Sequence, residues 1–182
     1  LEIIDTEYSV RTALSLIEKG SMLIDIVDPA VLGIAPKIDG TNKMYSQYGL
    51  GLVAIFLPIV SLGKIVAIFF NIDQRIIIDF LLSFYNVPFA ILGLYFFRSI
   101  LVQLGTTQAK ATTCMLLLFC CTGFWKYSVT DFSEITQACC LLAIVFHIIK
   151  KREKQWLHIS FWFSALILIK LTYLIFLIPL LT

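Results

Sequence analysis

The sequence predicts an all-α, polytopic transmembrane protein, and three observations carry that expectation. Composition is the first: 59% of the 182 residues are hydrophobic and only 14% are charged, with a mean hydropathy of +0.92. An ordinary soluble domain is about half apolar and about a quarter charged. The second is a series of long apolar runs separated by short polar breaks. The third is the sorting of charge between those breaks. Segments 98–110 and 150–155 carry Arg98, Lys110, Lys150, Lys151, Arg152 and Lys154 against a single acid, Glu153. The other eleven Asp and Glu residues lie in 1–48, 71–79 and 126–134. A lysine and arginine excess in short loops marks the cytoplasmic side, so two acid-bearing segments are expected to face the same outer compartment.

Each element follows from local pattern. Segment 6–19 reads as an amphipathic helix, with Val10, Ala13, Leu14 and Ile17 at helical spacing on one face and Glu7, Arg11, Ser15 and Glu18 on the other. Gly20 ends it, and such a helix can lie in the membrane interface. Segment 21–46 reads as loop, on Asp28-Pro29, Gly33, Pro36 and Asp39-Gly40-Thr41-Asn42. Segment 48–70 is apolar but interrupted by Gly51, Pro58, Gly63 and Lys64. Transmembrane helices are expected at about 76–97, 111–125, 133–149 and 156–181, a span needing about 20 residues; the 111–125 run is short and requires Lys110 and Lys126 to snorkel.

Topology is then a matter of parity. With 98–110 and 150–155 inside, 126–132 and 71–75 are outside. Segment 5–46 is inside if 48–70 crosses the membrane and outside if 48–70 dips in or lies on the surface. Pro58, the glycines and the absence of basic enrichment in 21–46 favour the second arrangement. The chain opens Leu-Glu-Ile-Ile-Asp without an initiator Met and stops at Ile-Pro-Leu-Leu-Thr, at the edge of an apolar run. It is expected to be a piece of a longer protein, truncated at both ends.

Candidate functional residues stand out against that background. Asp5 and Glu7 open the amphipathic helix; a carboxylate there can serve as general base or help hold a divalent cation. Equally, Asp5 suits an N-cap and Glu7 an i, i+4 pair with Arg11. Asp131 and Glu134 have capping-box spacing before helix 133–149, yet with Lys126 and Tyr127 they crowd one short outer loop. Cations and carboxylates together suit a phosphate held with a metal ion. Lys170 lies roughly 21 Å along its helix from Trp156, in the outer half of a ~30 Å core. A lysine there faces a polar cavity or pairs with a buried acid, for which Asp79 is a candidate. His147 and His158 flank the inner basic loop. The five cysteines, Cys114, Cys120, Cys121, Cys139 and Cys140, lack metal spacing and read as small packing residues. Neighbouring helices would allow a bridge between the 120/121 and 139/140 pairs. The basic loops are short and lack interleaved aromatics, so nucleic acid is not an expected partner.

Several stretches taken together resemble GT-C type membrane glycosyltransferases of the dolichyl-phosphate-mannose–protein mannosyltransferase-like and 4-amino-arabinose transferase-like kind. Asp5…Arg11-Thr-Ala-Leu-Ser-Leu-Ile-Glu-Lys-Gly20-Ser-Met-Leu-Ile-Asp25 resembles their first outer loop. Asp39-Gly40 and Tyr45-Ser-Gln-Tyr48-Gly-Leu-Gly51, followed by Pro58 and Gly63, is similar to their "DG…YSKYGxG…LP…LG" stretch. Phe132-Ser133-Glu134 resembles the second outer loop, and Leu168-Ile-Lys170-Leu-Thr172 their "LTK/LTR" helix. The resemblance covers nearly the whole chain as the N-terminal part of one such domain. It implies a first outer loop with two juxtamembrane helices, 6–19 and 48–63, within an outer segment 5–70.

The resemblance also implies inverting transfer of a sugar from a polyprenyl-phosphate donor to a glycan, lipid or protein acceptor. The setting would be a multi-pass protein of a prokaryotic cytoplasmic membrane. Asp5 or Glu7 would be the catalytic acid of the first loop. Lys126, Tyr127, Lys170, Tyr45 and Tyr48 would bind donor phosphate or substrate, and Asp131 and Glu134 could hold magnesium or manganese. The alternative is a non-enzymatic polytopic transporter or lipid-linked-sugar flippase. Transporters place ionisable groups at the midplane on broken helices, whereas here the acids cluster at one surface.

The charge pattern yields a testable topology. Single cysteines introduced at Thr41 and Gln155 should react with an impermeant maleimide from opposite sides of the membrane; labelling of both from one side would overturn the assignment.

Overall fold

The computed structural model describes residues 4–25, 43–45, 49–130, 132–150, 153 and 155–174, with backbone alone at 4, 5, 25 and 43–45. It is helical apart from one small sheet, and it divides into two compact units, Leu1–Leu81 and Leu82–Thr182.

The first unit is built on helices α1 (Ile4–Lys19) and α2 (Leu50–Phe70), which pack together. Gly20 ends α1 as expected, taking φ +62° and donating its N–H to the Leu16 carbonyl at 3.1 Å. That left-handed conformation costs glycine nothing. The buried side of α1 is broader than its apolar stripe. Val10 and Ala13 are buried, but so are Thr6, Ser9, Thr12 and Ser15, while Ile17 is exposed. Ser15, expected on the solvent face, instead donates its hydroxyl to the Leu23 carbonyl at 2.6 Å. Thr12 turns its hydroxyl back onto the Tyr8 carbonyl at 2.7 Å, so burial leaves neither hydroxyl unsatisfied.

Two departures from expectation follow. Within the segment read as loop, β1 (Leu23–Asp25) pairs antiparallel with β2 (Lys43–Tyr45), Ile24 opposite Met44. Three-residue strands are too short to show alternation in a sequence. And 50–70 is one continuous helix rather than a broken segment. Pro58 sits inside it, and Gly63 is a packing position. A Cβ at Gly63 would lie 2.7 Å from Ile78 Cγ1, so this glycine admits helix α3 (Gln74–Leu82). Asp73 caps α3, its side chain accepting the Arg75 N–H at 2.7 Å.

In the second unit the expected helix 76–97 is interrupted by the turn 83–85, after which α4 runs Asn86–Gln103. Pro88 is the reason: without an N–H it cannot bond to the Phe84 carbonyl, which instead accepts from Val87 at 3.1 Å. Helices α5 (Gln108–Cys121), α6 (Phe124–Ser128), α7 (Glu134–Lys150) and α8 (Gln155–Ile169) follow. The run 111–125 is therefore two helices parted at Thr122–Gly123, and the helix expected to reach 181 closes at Ile169.

Helices α4 and α7 run parallel: Asn86 meets Thr136, a Cβ at Gly93 would lie 3.6 Å from Cys139 Cα, and Phe96 lies 5.2 Å from Phe146 between ring centroids. Small residues at Ala90, Gly93, Cys139 and Ala143 let the two backbones approach. Helix α8 runs antiparallel to α7, with His147 stacked on His158 at one end and Gln137 bonded to Tyr173 at the other. Phe96, Phe146 and Trp162 close the core between them. Arg98 on α4, Lys150 at the end of α7 and Gln155 at the start of α8 thus lie toward one end of this unit, and 126–130 and 132 lie at the opposite end.

All five cysteines are free thiols, Cys139 and Cys140 buried and the other three exposed. Among the described residues two stretches are long and apolar enough to cross a membrane: Leu50–Phe70, and Gln74–Gln103 taken across its turn. Helices α5 and α8, at 14 and 15 residues, are shorter than a span. Apolar side chains are also turned outward, among them Ile68 and Phe69 on α2, each about four-fifths exposed (80% and 82%), and Leu116 and Leu117 on α5.

The Gly63 contact is testable. Gly63→Val should lower stability by ~1–3 kcal/mol through overpacking. In an Ile78→Ala background the added cost should shrink by at least ~0.5 kcal/mol, as for any contacting pair. Thermal unfolding in detergent measures both.

Candidate functional site

The candidate residues fall into one group in each unit. In the first, Glu7 lies one turn into α1 with its side chain 14% exposed. Both of its oxygens are taken by guanidinium groups. Arg11 Nε donates to Oε1 at 2.5 Å, the i, i+4 pair expected from the sequence. Arg75, at the start of α3, adds a two-pronged contact: Nη1 to Oε1 at 3.2 Å, and Nη2 to Oε2. The Nε of Arg75 bonds Asp79 at 3.0 Å, so the acid considered as a partner for Lys170 is held by Arg75. A second bridge, Lys64 to Glu18 at 2.6 Å, ties α1 to α2.

Electrostatics give Glu7 a definite character. Burial alone would raise its proton affinity, but hydrogen bonds and charge from Arg75 and Arg11 outweigh it and hold the carboxyl below its usual range. A carboxylate so held is a weak base at neutral pH, where general-base catalysis favours a pKa near the working pH. Arg75 was not singled out from the sequence, because 68 residues separate it from Glu7 and no periodicity links them. Of the other candidates in this unit, the side chains of Asp5 and Tyr45, and all of Tyr48, lie outside the described residues. Tyr45 closes strand β2 opposite Leu23.

The second group occupies the end of the other unit where α4 and α7 begin. Lys126 and Tyr127 lie on α6 and are exposed, as is Glu134, the first residue of α7. The Tyr127 ring packs edge-on to Phe132, centroids 5.3 Å apart. Asp131, and with it the capping box and half of the candidate cation pair, lies outside the described residues. Among the described residues no group of three or more His, Cys, Asp or Glu could hold a metal ion.

Lys170 is not deep within a helix. It is the residue just after α8, exposed, its N–H bonded to Leu166 and its carbonyl accepting from Tyr173 in the turn 171–174. A cation at a helix C-terminus is favoured by the axial dipole. Tyr173 donates its hydroxyl to Gln137 Oε1 at 2.8 Å, and Gln137 Nε2 donates to Ser133 Oγ at 2.7 Å. That relay brings the segment after Lys170 to the first turn of the helix that Glu134 opens.

The organiser of this end is Asn86, which the sequence reading passed over. It is fully buried. Its Nδ2 faces the carbonyls of Phe132, Thr130 and Tyr127 at 2.5, 2.8 and 3.3 Å. Its Oδ1 accepts the Thr136 hydroxyl at 3.0 Å. The neighbouring Tyr85 hydroxyl also donates to Phe132 O, at 2.9 Å. One sequence signal could have found it: a carboxamide within an apolar run must be satisfied from inside the fold. At the far end of the unit, the His147 and His158 rings stack at 4.6 Å and Lys150 Nζ lies 4.7 Å from the Phe146 centroid.

Comparison with known proteins finds no family model, no curated protein and no solved structure that matches this chain.

The state of Glu7 fixes the sign of a pH effect. Its folded pKa is depressed, so its stabilisation is complete above the unfolded value near 4.5 and is lost as pH falls through the lower, folded value. Thermal unfolding of Glu7→Gln should therefore decline less between pH 6 and 3 than that of the parent. At neutral pH, Arg75→Met should cost ~1.5–3 kcal/mol, the range for a charge-assisted hydrogen bond.

Proposed function

We propose that the chain belongs to a multi-pass membrane glycosyltransferase that moves a sugar from a polyprenyl-phosphate donor to an acceptor at the outer face of a prokaryotic cytoplasmic membrane. The observation that carries this reading is the order and spacing of the motifs in the first loop, at Phe132-Ser133-Glu134 and at Leu168-Ile-Lys170-Leu-Thr172. Three features support it. The amphipathic helix α1 packs on an apolar helix, as a juxtamembrane pair would. The cations Lys126 and Lys170 are exposed, as phosphate contacts must be. And within the second unit the Tyr173–Gln137–Ser133 relay joins the lysine-bearing segment to the second loop.

In this mechanism Asp5 takes the proton of the acceptor hydroxyl, whose oxygen attacks the anomeric carbon. The bond to the lipid phosphate breaks with inversion, and the phosphate leaves with the bonding pair. Glu7, committed to two arginines, holds α1 in place rather than accepting a proton. Lys170 and Lys126 stabilise charge on the departing phosphate, where preorganised cations act most strongly. Glu134 with Asp131 positions that group or a divalent cation.

Two measurements test the assignment. Asp5→Asn and Asp5→Ala should both abolish sugar transfer at normal membrane abundance; an acid that only favours the first turn of α1 through the helix dipole predicts a loss of up to ~1 kcal/mol of stability and retained activity. Lys170→Met should insert normally and lose donor affinity, and Lys170→Arg should keep part of it, since charge and reach survive. Unchanged donor affinity in Lys170→Met would remove that residue from the site.

A further inference from the structure

The geometry points to Asn86 as the positioning residue of the second loop: its carboxamide gathers the carbonyls of Tyr127, Thr130 and Phe132 and the hydroxyl of Thr136, and so sets Lys126 and Tyr127 relative to Glu134 for a lipid-linked phosphate. This rests on the transferase reading for the identity of the ligand, but not for the clamp itself.

Between the end of α6 and the start of α7 the carbonyls of Tyr127, Thr130 and Phe132 turn toward the buried Asn86. Each would be costly to bury unpaired. Asn86 meets them from the first turn of α4, an element of the bundle core, and Tyr85 adds a second donor to Phe132. No other residue type satisfies this arrangement. Two N–H bonds are needed toward the carbonyls and one acceptor toward Thr136, which only a carboxamide of this length offers. Asp would set a carboxylate against carbonyl oxygens, and an aliphatic side chain would remove all of these bonds, leaving the Tyr85 hydroxyl on Phe132 O. The loop is thereby locked to α4 and α7 together. Its cation and ring on α6, and the carboxylate opening α7, belong to one rigid end of the unit. A phosphate contact that must be placed to within a fraction of an ångström needs such support.

The test uses the full-length protein in its membrane or in detergent, with hydrogen exchange of the 124–134 segment and steady-state kinetics. The donors are polyprenyl-phosphate mannose and polyprenyl-phosphate 4-amino-arabinose. Asn86→Ala should raise loop exchange by about 10-fold or more while 93–100 and 139–146 stay protected, the signature of local opening. Donor KM should rise by about 10-fold with kcat within about 3-fold, the pattern of lost binding rather than lost chemistry. Phe146→Leu, a core truncation at the other end of the bundle, supplies the comparison. It should lower the melting temperature but leave loop exchange and donor KM within about 3-fold of the parent. If Asn86→Ala does not accumulate, Tyr85→Phe carries the same test, with a smaller rise expected in the same segment. Loop exchange that does not change, or that rises equally throughout the unit, overturns the clamp. Local opening with unchanged donor KM overturns its role in donor binding. A parent inert with both donors counts against the transferase reading, and the exchange pattern then decides the clamp by itself.

Discussion

Much of this structure follows from one constraint: a polar group buried in so apolar a chain must find its partner within the chain. An unmade hydrogen bond in a low dielectric costs far more than a made one returns. The second unit meets the constraint with Asn86, whose two N–H groups face three carbonyls and whose oxygen accepts a hydroxyl. The first meets it with the Glu7 carboxylate between two guanidiniums, and with Ser15 bonded across to Leu23. Each of these contacts joins elements that apolar packing alone would leave able to slide. Apolar burial is non-directional, while a hydrogen bond admits one register.

Packing then works within the registers so defined. The seam between α4 and α7 is made of Ala90, Gly93, Cys139 and Ala143, so dispersion acts between backbones at close range. Beyond the seam the aromatic rings of Phe96, Phe146 and Trp162 fill the widening gap toward the basic end. Cys139 and Cys140 serve here as small apolar residues. Helix α5 keeps only Ala111 buried, and α2 and α8 also turn large apolar side chains outward, among them Ile65, Ile68, Leu157 and Phe161. In water such faces would drive association; against lipid they are the expected finish.

Glu7 illustrates how environment alters what an acid at the start of α1 can do. Glu7 faces Arg75 and Arg11, and the same charges that make it a strong tether make it a poor proton acceptor. The catalytic role proposed for the first loop accordingly falls to Asp5. Lys170 shows the complementary effect. A lysine in mid-helix would need a buried partner, but at the end of α8 it meets the negative end of the helix dipole and is exposed.

The sequence by itself determined what depends on local pattern. It set the helical class, the positions of α1 and α7 to within a residue or two, the Gly20 stop and the Glu7–Arg11 pair. These follow from period, from glycine and from neighbours four apart, all of which act over one or two turns. Only the tertiary structure decided the rest. Pro58 is absorbed in α2, whereas Pro88 goes with a break before α4, and the two prolines differ only in what surrounds them. Gly63 is a point of contact because Ile78 arrives there from another helix. Arg75 reaches Glu7 across 68 residues, and Asn86 reaches Phe132 across 46. Contacts of that kind leave no periodic trace, because each is made by a single residue whose partner is chosen by the path of the chain.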